Sequence, residues 1–304
     1  MGYGFRHVKR QVHLKVKEYI VKDMIKYISE HDLKLQGLEK GRKSFDQEYV
    51  YCCLYKYIAN IGYNKLWDDI STLMNGHTGF IPESAKTLRT NIQKVRKALK
   101  FWASKYIYVR SEELVESARA SAGLKSHVHK CDMLIDSQDV RICKERNNPP
   151  PRLDDYWSGK IENRAQRFMI ISDFGNWIHY ISYGYIPKVH DDHWVSSHKD
   201  LFDLNFNGNV FLADLHFKNM EKYTNGGTHV LTRIEKSKSG GELTPSEETF
   251  NIAVSQGRAR CEQVFTRIQF KFESLQKPWE EELEAQEDIM HIGAAITNME
   301  ILNK

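Results

Sequence analysis

The sequence predicts an α/β domain, a mixed sheet with flanking helices, preceded by an all-α region with a helix-turn-helix-like segment. Three observations predict this: apolar residues recur at helical spacing before residue 110, strand-like segments begin after 131, and helical spacing returns after 243. We expect a helical region over residues 1–125, an α/β domain over 126–276, and an acidic helical tail over 277–304 that packs on the body.

The amino-terminal region has the layout of a helix-turn-helix. Residues 5–35 predict one or two short helices. Residues 46–60 predict another helix, IGYN at 61–64 breaks it, and residues 65–74 are helical again. Many all-α domains contain three such elements, so this layout alone does not establish DNA binding.

The next predicted helix, over residues 86–105, is strongly basic. Its apolar residues repeat every three or four positions, and the remaining positions include seven Lys or Arg and no acid. Such a helix buries one face and can dock the other on a DNA backbone; a solvated basic helix is the alternative. The predicted phosphate contacts are Lys94, Arg96, Lys97 and Lys100.

The net charge of +4 is unevenly distributed along the 304 residues. The first 110 residues contain 21 Lys and Arg against 10 Asp and Glu, a balance of +11, so the remainder carries −7. A basic region attached to a neutral body and an acidic tail is typical of a polyanion-binding protein. Nucleic acid is the leading partner, and a merely soluble basic face is the alternative.

Four short segments after residue 131 predict strands. They are DMLIDSQDVRIC (132–143), FMIISDF (168–174), WIHYISY (177–183) and VFLAD (210–214). Each is rich in β-branched or aromatic residues and is bounded by turn residues. A helix then begins within LTPSEE (243–248), because a Thr-Pro-x-x-Glu start is typical of a helix amino terminus.

Residues 257–272 of this helix read GRARCEQVFTRIQFKF and contain a single acid, Glu262. An apolar stripe faces the core, and Glu262 lies at its border with Arg258 one turn before it. Taken alone, the segment favours a surface helix of mixed charge. A functional role for Glu262 requires partner acids elsewhere in the chain.

Two further acids end apolar runs inside predicted strands: Asp136 follows MLI and Asp214 follows VFLA. A carboxylate placed there costs desolvation free energy unless it meets a cation, a donor or water. Two strand acids and Glu262 suit two divalent cations about 3.5–4 Å apart for phosphodiester chemistry. The alternative is that each acid only caps or turns its strand.

Other metal sites and a membrane segment are not expected. The five cysteines include no C-x-x-C pair, which is typical of free thiols in a reducing compartment. VHDDHW (189–194) has no second cluster with metal-ligand spacing, so a polar loop is favoured over a zinc site. No run of 18 apolar residues occurs, and no membrane partner is expected.

Several motifs occur in a recognisable order: LIDSQDV (134–140), YWSGK (156–160), VHDDHW (189–194), FLAD (211–214), LTPSEETFN (243–251) and SQGRARCEQVFTRIQFKFESL (255–275). The most specific block is the last, where FN is followed by R-x-R-x-x-E-x-x-F. This combination resembles the DDE transposases of the PIF/Harbinger type over roughly residues 125–276. Residues 46–105 are similar to the helix-turn-helix region that precedes the catalytic domain in that family.

The resemblance implies an RNase H-like fold and a transposase that cleaves transposon ends and joins them to target DNA. It implies that Asp136, Asp214 and Glu262 are catalytic and bind two Mg²⁺ or Mn²⁺ ions. It further implies DNA contacts by Lys160, Arg258, Arg260, Arg267 and Lys271, and support of the site by Asp191.

Two positions depart from the family pattern. Leu215 and His216 follow Asp214 where the family commonly has Gly-Tyr, and Ser137 follows Asp136 where the family favours Gly. A domesticated DNA-binding protein with reduced catalysis, or a nuclease without strand transfer, is therefore an alternative to the transposase.

The resemblance also implies partners. These are the terminal inverted repeats and target DNA, a homodimer or larger oligomer, and a separate Myb-like DNA-binding protein as an accessory. In a eukaryotic host the protein would be nuclear, and otherwise cytoplasmic. KGRK at 40–43 is too short to establish nuclear import.

Overall fold

The computed structural model describes residues 3–31, 46–73, 84–124, 128–143, 152–225, 227–236 and 242–303. The chain divides into two compact units, Met1–Tyr106 with Ile268–Lys304, and Ile107–Arg267. None of the described helices is long and apolar enough to cross a lipid bilayer. The KGRK segment and the predicted boundary between residues 125 and 126 lie outside the described residues.

The first unit is helical in its described part. It contains α1 (Tyr3–His13), α2 (Glu18–Glu30), α3 (Asp46–Ile58), α4 (Tyr63–Leu73), α5 (Ala85–Ala103), the last turn of α10 (Pro245–Lys271) and α11 (Leu283–Leu302). The predicted helices of the amino-terminal region are therefore confirmed. Asn60 has a φ of 49°, a left-handed conformation that Asn tolerates, and it separates α3 from α4.

Helix α5 buries the apolar face that its sequence predicts. Its buried apolar residues include Leu88, Ile92, Val95, Leu99 and Trp102. Ser84 caps the helix, because its Oγ accepts a hydrogen bond from the Thr87 amide at 3.1 Å.

Helix α11 is buried along most of its length, although the sequence at its start is acidic. Thirteen of its residues are buried, including Asp288. Asp288 pairs with two cations of α5, at 2.9 Å from Arg96 Nε and 3.0 Å from Lys100 Nζ. These contacts group residues 268–304 with the amino-terminal helices, and the three-part domain division stays a prediction.

The second unit is built around a mixed sheet with six strands among its described residues. They are β1 (Met133–Arg141), β2 (Trp157–Ser158), β3 (Asn163–Asp173), β4 (Ile178–Ile181), β5 (Val210–Leu212) and β6 (His229–Leu231). The strand order is β2-β3-β1-β5-β6, and β4 also pairs with β3. β3 is antiparallel to β1 and β4, whereas β5 is parallel to β1 and β6. The predicted α/β class with a mixed sheet is confirmed.

Helices flank this sheet. The second unit contains α6 (Glu112–Ser121), α7 (Asp191–Ser197), α8 (Lys199–Asn205), α9 (Met220–Tyr223) and most of α10. Side chains of α6 to α9 pack with alternate residues of β1 and β3 in one apolar core, which includes Val115, Met133, Ile135, Met169, Ile171, Trp194, Phe202 and Met220. α10 approaches β5 closely at Gly257, where an added Cβ would overlap Leu212 Cδ2.

Candidate active site

Asp136 and Asp214 come from neighbouring strands and approach the same guanidinium. Asp136 lies on β1, and Asp214 follows β5, which pairs with β1 in parallel. Nη2 of Arg258, on α10, lies 2.9 Å from Asp214 Oδ2 and 3.6 Å from Asp136 Oδ2. The structure therefore brings together two of the three predicted acids.

Backbone amides orient both carboxylates. The Ser137 amide donates to Asp136 Oδ1 at 2.8 Å, and the Leu215 amide donates to Asp214 Oδ1 at 2.5 Å. In each carboxylate the other oxygen, Oδ2, is the one nearest to Arg258. Two acids that would repel each other are thus held in defined positions.

A cavity of about 430 Å³ contains both acids. It is lined by Asp136, Ser137, Lys160, Arg167, Pro187, His190, Asp191, Asp214 and His216. Burial raises the pKa of Asp136, and the positive charges of Lys160 and Arg258 oppose this rise. Oxygen ligands for a hard cation and positive groups for a phosphate therefore line the same cavity.

Glu262, the third predicted acid, does not line this cavity. It lies one turn after Arg258 on α10, and it is exposed. Within the described ranges, no group of three or more His, Cys, Asp or Glu residues is placed to hold a metal ion. A role for Glu262 as the third ligand stays a prediction.

A different acid, Asp191, lines the cavity with Asp136 and Asp214. Asp191 is the first residue of α7 and is 7% exposed. Arg167 Nη1 lies 3.7 Å from its Oδ1. Burial raises the pKa of Asp191, and the charge of Arg167 opposes this rise.

Lys160 and Arg167 place positive charge beside these acids. Arg167 donates from Nε and Nη2 to both oxygens of Asp139, at 2.6 and 2.9 Å. Lys160 Nζ donates to the Ser137 carbonyl at 3.0 Å. Sequence reasoning missed Arg167, because its position opposite Asp139 depends on the register between β1 and β3.

Sequence reasoning also missed His190 and His216 as cavity residues. Both are exposed, and both line this cavity and a neighbouring one of about 400 Å³. His216 follows Asp214 by two positions, which was the only available signal for it. Asp192, another member of the VHDDHW segment, accepts a hydrogen bond from Asn219 at 2.8 Å.

The predicted DNA-binding residues of the second unit lie in different environments. Lys160 is exposed, Arg258 pairs with the two acids, and Arg267 is half-buried. Arg260 donates to the carbonyls of Phe174 and Ala122, at 2.9 and 2.8 Å. The guanidinium of Arg260 thus stabilises the protein backbone, and its contact with DNA stays a prediction.

The predicted DNA-binding residues of the first unit are partly engaged within that unit. Arg96 is 1% exposed, so a phosphate contact at this residue is not supported. Lys271 is buried and pairs with Glu300. Lys97 is exposed and lies 3.2 Å from Glu284. Lys94 and Lys100 are half-buried, and DNA contacts at the four lysines stay predictions.

Comparison with known proteins identifies the family. A family model described as DDE superfamily endonuclease matches residues 135–298, which is more than half of the chain. The matched range includes Asp136, Asp214 and Glu262. No curated protein and no solved structure matches the chain. The chain therefore belongs to the DDE superfamily endonuclease family.

Proposed function

We propose that the chain is a metal-dependent DNA transposase that cleaves the ends of a mobile element and joins them to target DNA. Family membership supports nuclease activity on DNA, and the motif order supports the PIF/Harbinger type. One observation carries the proposal: Asp136 and Asp214, from neighbouring strands, share a cavity with cationic side chains.

The order of the strands supports an RNase H-like fold for the second unit. Three antiparallel strands, β4, β3 and β1, are followed across the sheet by β5 and β6, which run parallel to β1. Without the two-residue β2, the strands follow one another along the chain as β1, β3, β4, β5 and β6. Asp136 then lies on the first of them, and Asp214 follows the fourth, β5. The resemblance to the DDE transposases implies the same placement, with Asp136 on the first strand of the fold and Asp214 at the end of the fourth.

The acids suit Mg²⁺ or Mn²⁺. Asp136 and Asp214 each direct one oxygen at Arg258, so the pair already stabilises a positive charge. Carboxylate oxygens are the ligands that hard divalent cations prefer. We propose that both acids, with Glu262 as the third, hold two ions. Cations held there would supply Lewis acidity, which would offset the charge that develops on the phosphoryl group.

The cavity cations complete the proposed chemistry. Lys160 and Arg167 line the cavity beside Asp136, where they would bind phosphate oxygens of a DNA strand. Such contacts orient the phosphodiester and offset its charge in the transition state. The oligomeric state, the Myb-like accessory protein and nuclear location are proposed from the resemblance alone.

The test is cleavage of a plasmid that carries the inverted repeats flanking the coding region. With Mg²⁺, the wild type should nick or cut at the repeats, and Asp136→Asn, Asp214→Asn and Glu262→Gln should each lower the rate by at least about 100-fold. Asp154→Asn removes an exposed carboxylate outside the cavity and serves as the control.

The products separate the alternatives. Covalent joining of repeat ends to target DNA supports the transposase, whereas cleavage without joining supports a nuclease. Binding of the repeats without cleavage would support the domesticated protein. The catalytic proposal fails if the wild type does not cleave or if the three variants cleave as fast as the wild type.

A further inference from the structure

Asp191 has a buried carboxylate whose charge is incompletely compensated. It is 7% exposed, and its Oδ1 is buried without accepting a hydrogen bond. Arg167 Nη1 is 3.7 Å from Oδ1, which is beyond hydrogen-bond distance. Burial of a carboxylate without full pairing is costly, so this arrangement calls for a functional explanation.

Arg167 is committed to a different acid. Its Nε and Nη2 donate to both oxygens of Asp139 in a bidentate pair, and the Ser158 hydroxyl also donates to Asp139. Asp139 is therefore fully partnered and does not line the cavity. Asp191 does line the cavity, and its contact with Arg167 is the longer one, from Nη1 at 3.7 Å.

Ser137 connects Asp191 to Asp136. The Ser137 amide donates to Asp136 Oδ1 at 2.8 Å, and the Ser137 side chain offsets part of the rise in the pKa of Asp191 that burial causes. The carboxylates of Asp136 on β1, of Asp191 at the start of α7 and of Asp214 after β5 thus line one cavity. A glycine at position 137 could supply the amide but not the hydroxyl.

We propose that Asp191 is a further carboxylate of the divalent-cation site in this cavity. The inference rests on the proposed function, since it concerns the same cations. Mg²⁺ is usually held by one or two carboxylates, with water and substrate phosphate completing its coordination. Asp191 therefore acts with Asp136 in binding one ion, and no closed cage of three acids is required.

The test measures metal binding without DNA or turnover. The full chain is titrated with Mn²⁺ by calorimetry, and the melting temperature is followed at each concentration. Asp191→Asn should raise the dissociation constant for Mn²⁺ by about tenfold or more, and Ser137→Gly should raise it by a smaller factor.

Asp139→Asn is the matched control. It removes a buried carboxylate that contacts the same Arg167 but lies outside the cavity lining. It should lower the melting temperature without Mn²⁺ and leave the dissociation constant within about twofold of the wild type. If Asp191→Asn does not fold, the dissociation constants of Ser137→Gly and Asp191→Glu for Mn²⁺ are compared with that of the wild type instead.

The outcomes distinguish this inference from the proposed function. If the wild type binds Mn²⁺ and Asp191→Asn binds it equally well, Asp191 has only a structural role and the inference is overturned. If the wild type shows no Mn²⁺ binding, the metal-dependent function fails, and the inference fails with it. Weaker binding in Asp191→Asn but not in Asp139→Asn supports the inference.

Discussion

Arg258 is the residue on which the two strand acids converge. Its Nη2 lies 2.9 Å from Asp214 and 3.6 Å from Asp136, while its Nε is buried without a hydrogen-bond partner. A guanidinium between two carboxylates offsets their repulsion and favours their charged forms. Burial nevertheless dominates at Asp136, whose pKa is raised. The site therefore retains a carboxylate at a cost to stability.

Asp136→Asn should stabilise the fold at neutral pH while abolishing the proposed cleavage. The pKa of Asp136 is above its usual value of 3.8, so the folded chain holds this proton more tightly than the unfolded chain does. The free energy of unfolding therefore falls as the pH rises from 3.8 through the raised pKa. It remains lower at every pH above that. Asn removes this cost and still accepts the Ser137 amide hydrogen bond.

The measurement is the melting temperature of both proteins in a chelator, at about pH 7.5 and about pH 3.5. Asp136→Asn should melt higher at neutral pH and lose that advantage at acid pH. A lower melting temperature at neutral pH would mean that the pairing with Arg258 outweighs burial. Asp154→Asn, at an exposed acid, is the control.

At the scale of elements, the site depends on the close approach of α10 to β5. Gly257 faces Leu212, and the next residue, Arg258, reaches the acids of β1 and of the turn after β5. The absence of a side chain at residue 257 thus leaves room for Leu212 beside the helix that carries the cation.

Gly257→Ala should destabilise the chain by about 1–3 kcal/mol, because the added Cβ overlaps Leu212 Cδ2. The sign of the change in stability distinguishes two effects. Helix propensity alone would make Gly257→Ala stabilising by about 1 kcal/mol, whereas overlap with Leu212 makes it destabilising. Urea denaturation measures the change. In Gly257→Ala/Leu212→Ala the two costs should not add, because removing the Leu212 side chain makes room. Stabilisation by Gly257→Ala would contradict the close approach.

At the scale of the molecule, the fold pairs charges that are remote in sequence. The basic helix α5 and the acidic start of α11 belong to the same unit and are linked by Arg96 with Asp288 and by Lys97 with Glu284. Part of the positive excess of the amino-terminal third is therefore neutralised inside this unit. The positive charge left at the surface of this unit is smaller than the sequence balance indicates.

Arg96→Met should destabilise the chain by about 3–5 kcal/mol, because Asp288 would remain buried with a weakened counterion. Asp288→Asn should cost a similar amount, and the double variant should cost less than both singles combined. Guanidinium denaturation of the four proteins measures the coupling. Additive costs would show that the pair contributes no mutual stabilisation.

The local patterns sufficed for several elements and for two of the acids, but they did not predict β2, β6 or the helices α6 to α9. The repeat of three or four positions predicted α5, and the short apolar runs predicted β1 and β5, because periodicity depends only on neighbouring residues. β3 was predicted too short: it begins at Asn163, where polar residues continue the pairing with β1 and β2. That extension comes from the partner strands rather than from the local sequence.

The order of the motifs led to the family and to the prediction of Asp136, Asp214 and Glu262 as its site acids. Both inferences depend only on the order of residues along the chain. The environment of each side chain was decided by tertiary packing. The resemblance already implied that Asp191 supports the site, whereas only the fold places Glu262 outside the cavity lining and Arg96 in the interior. These positions depend on strand register and on contacts between distant segments, and neither is encoded in the spacing of nearby residues.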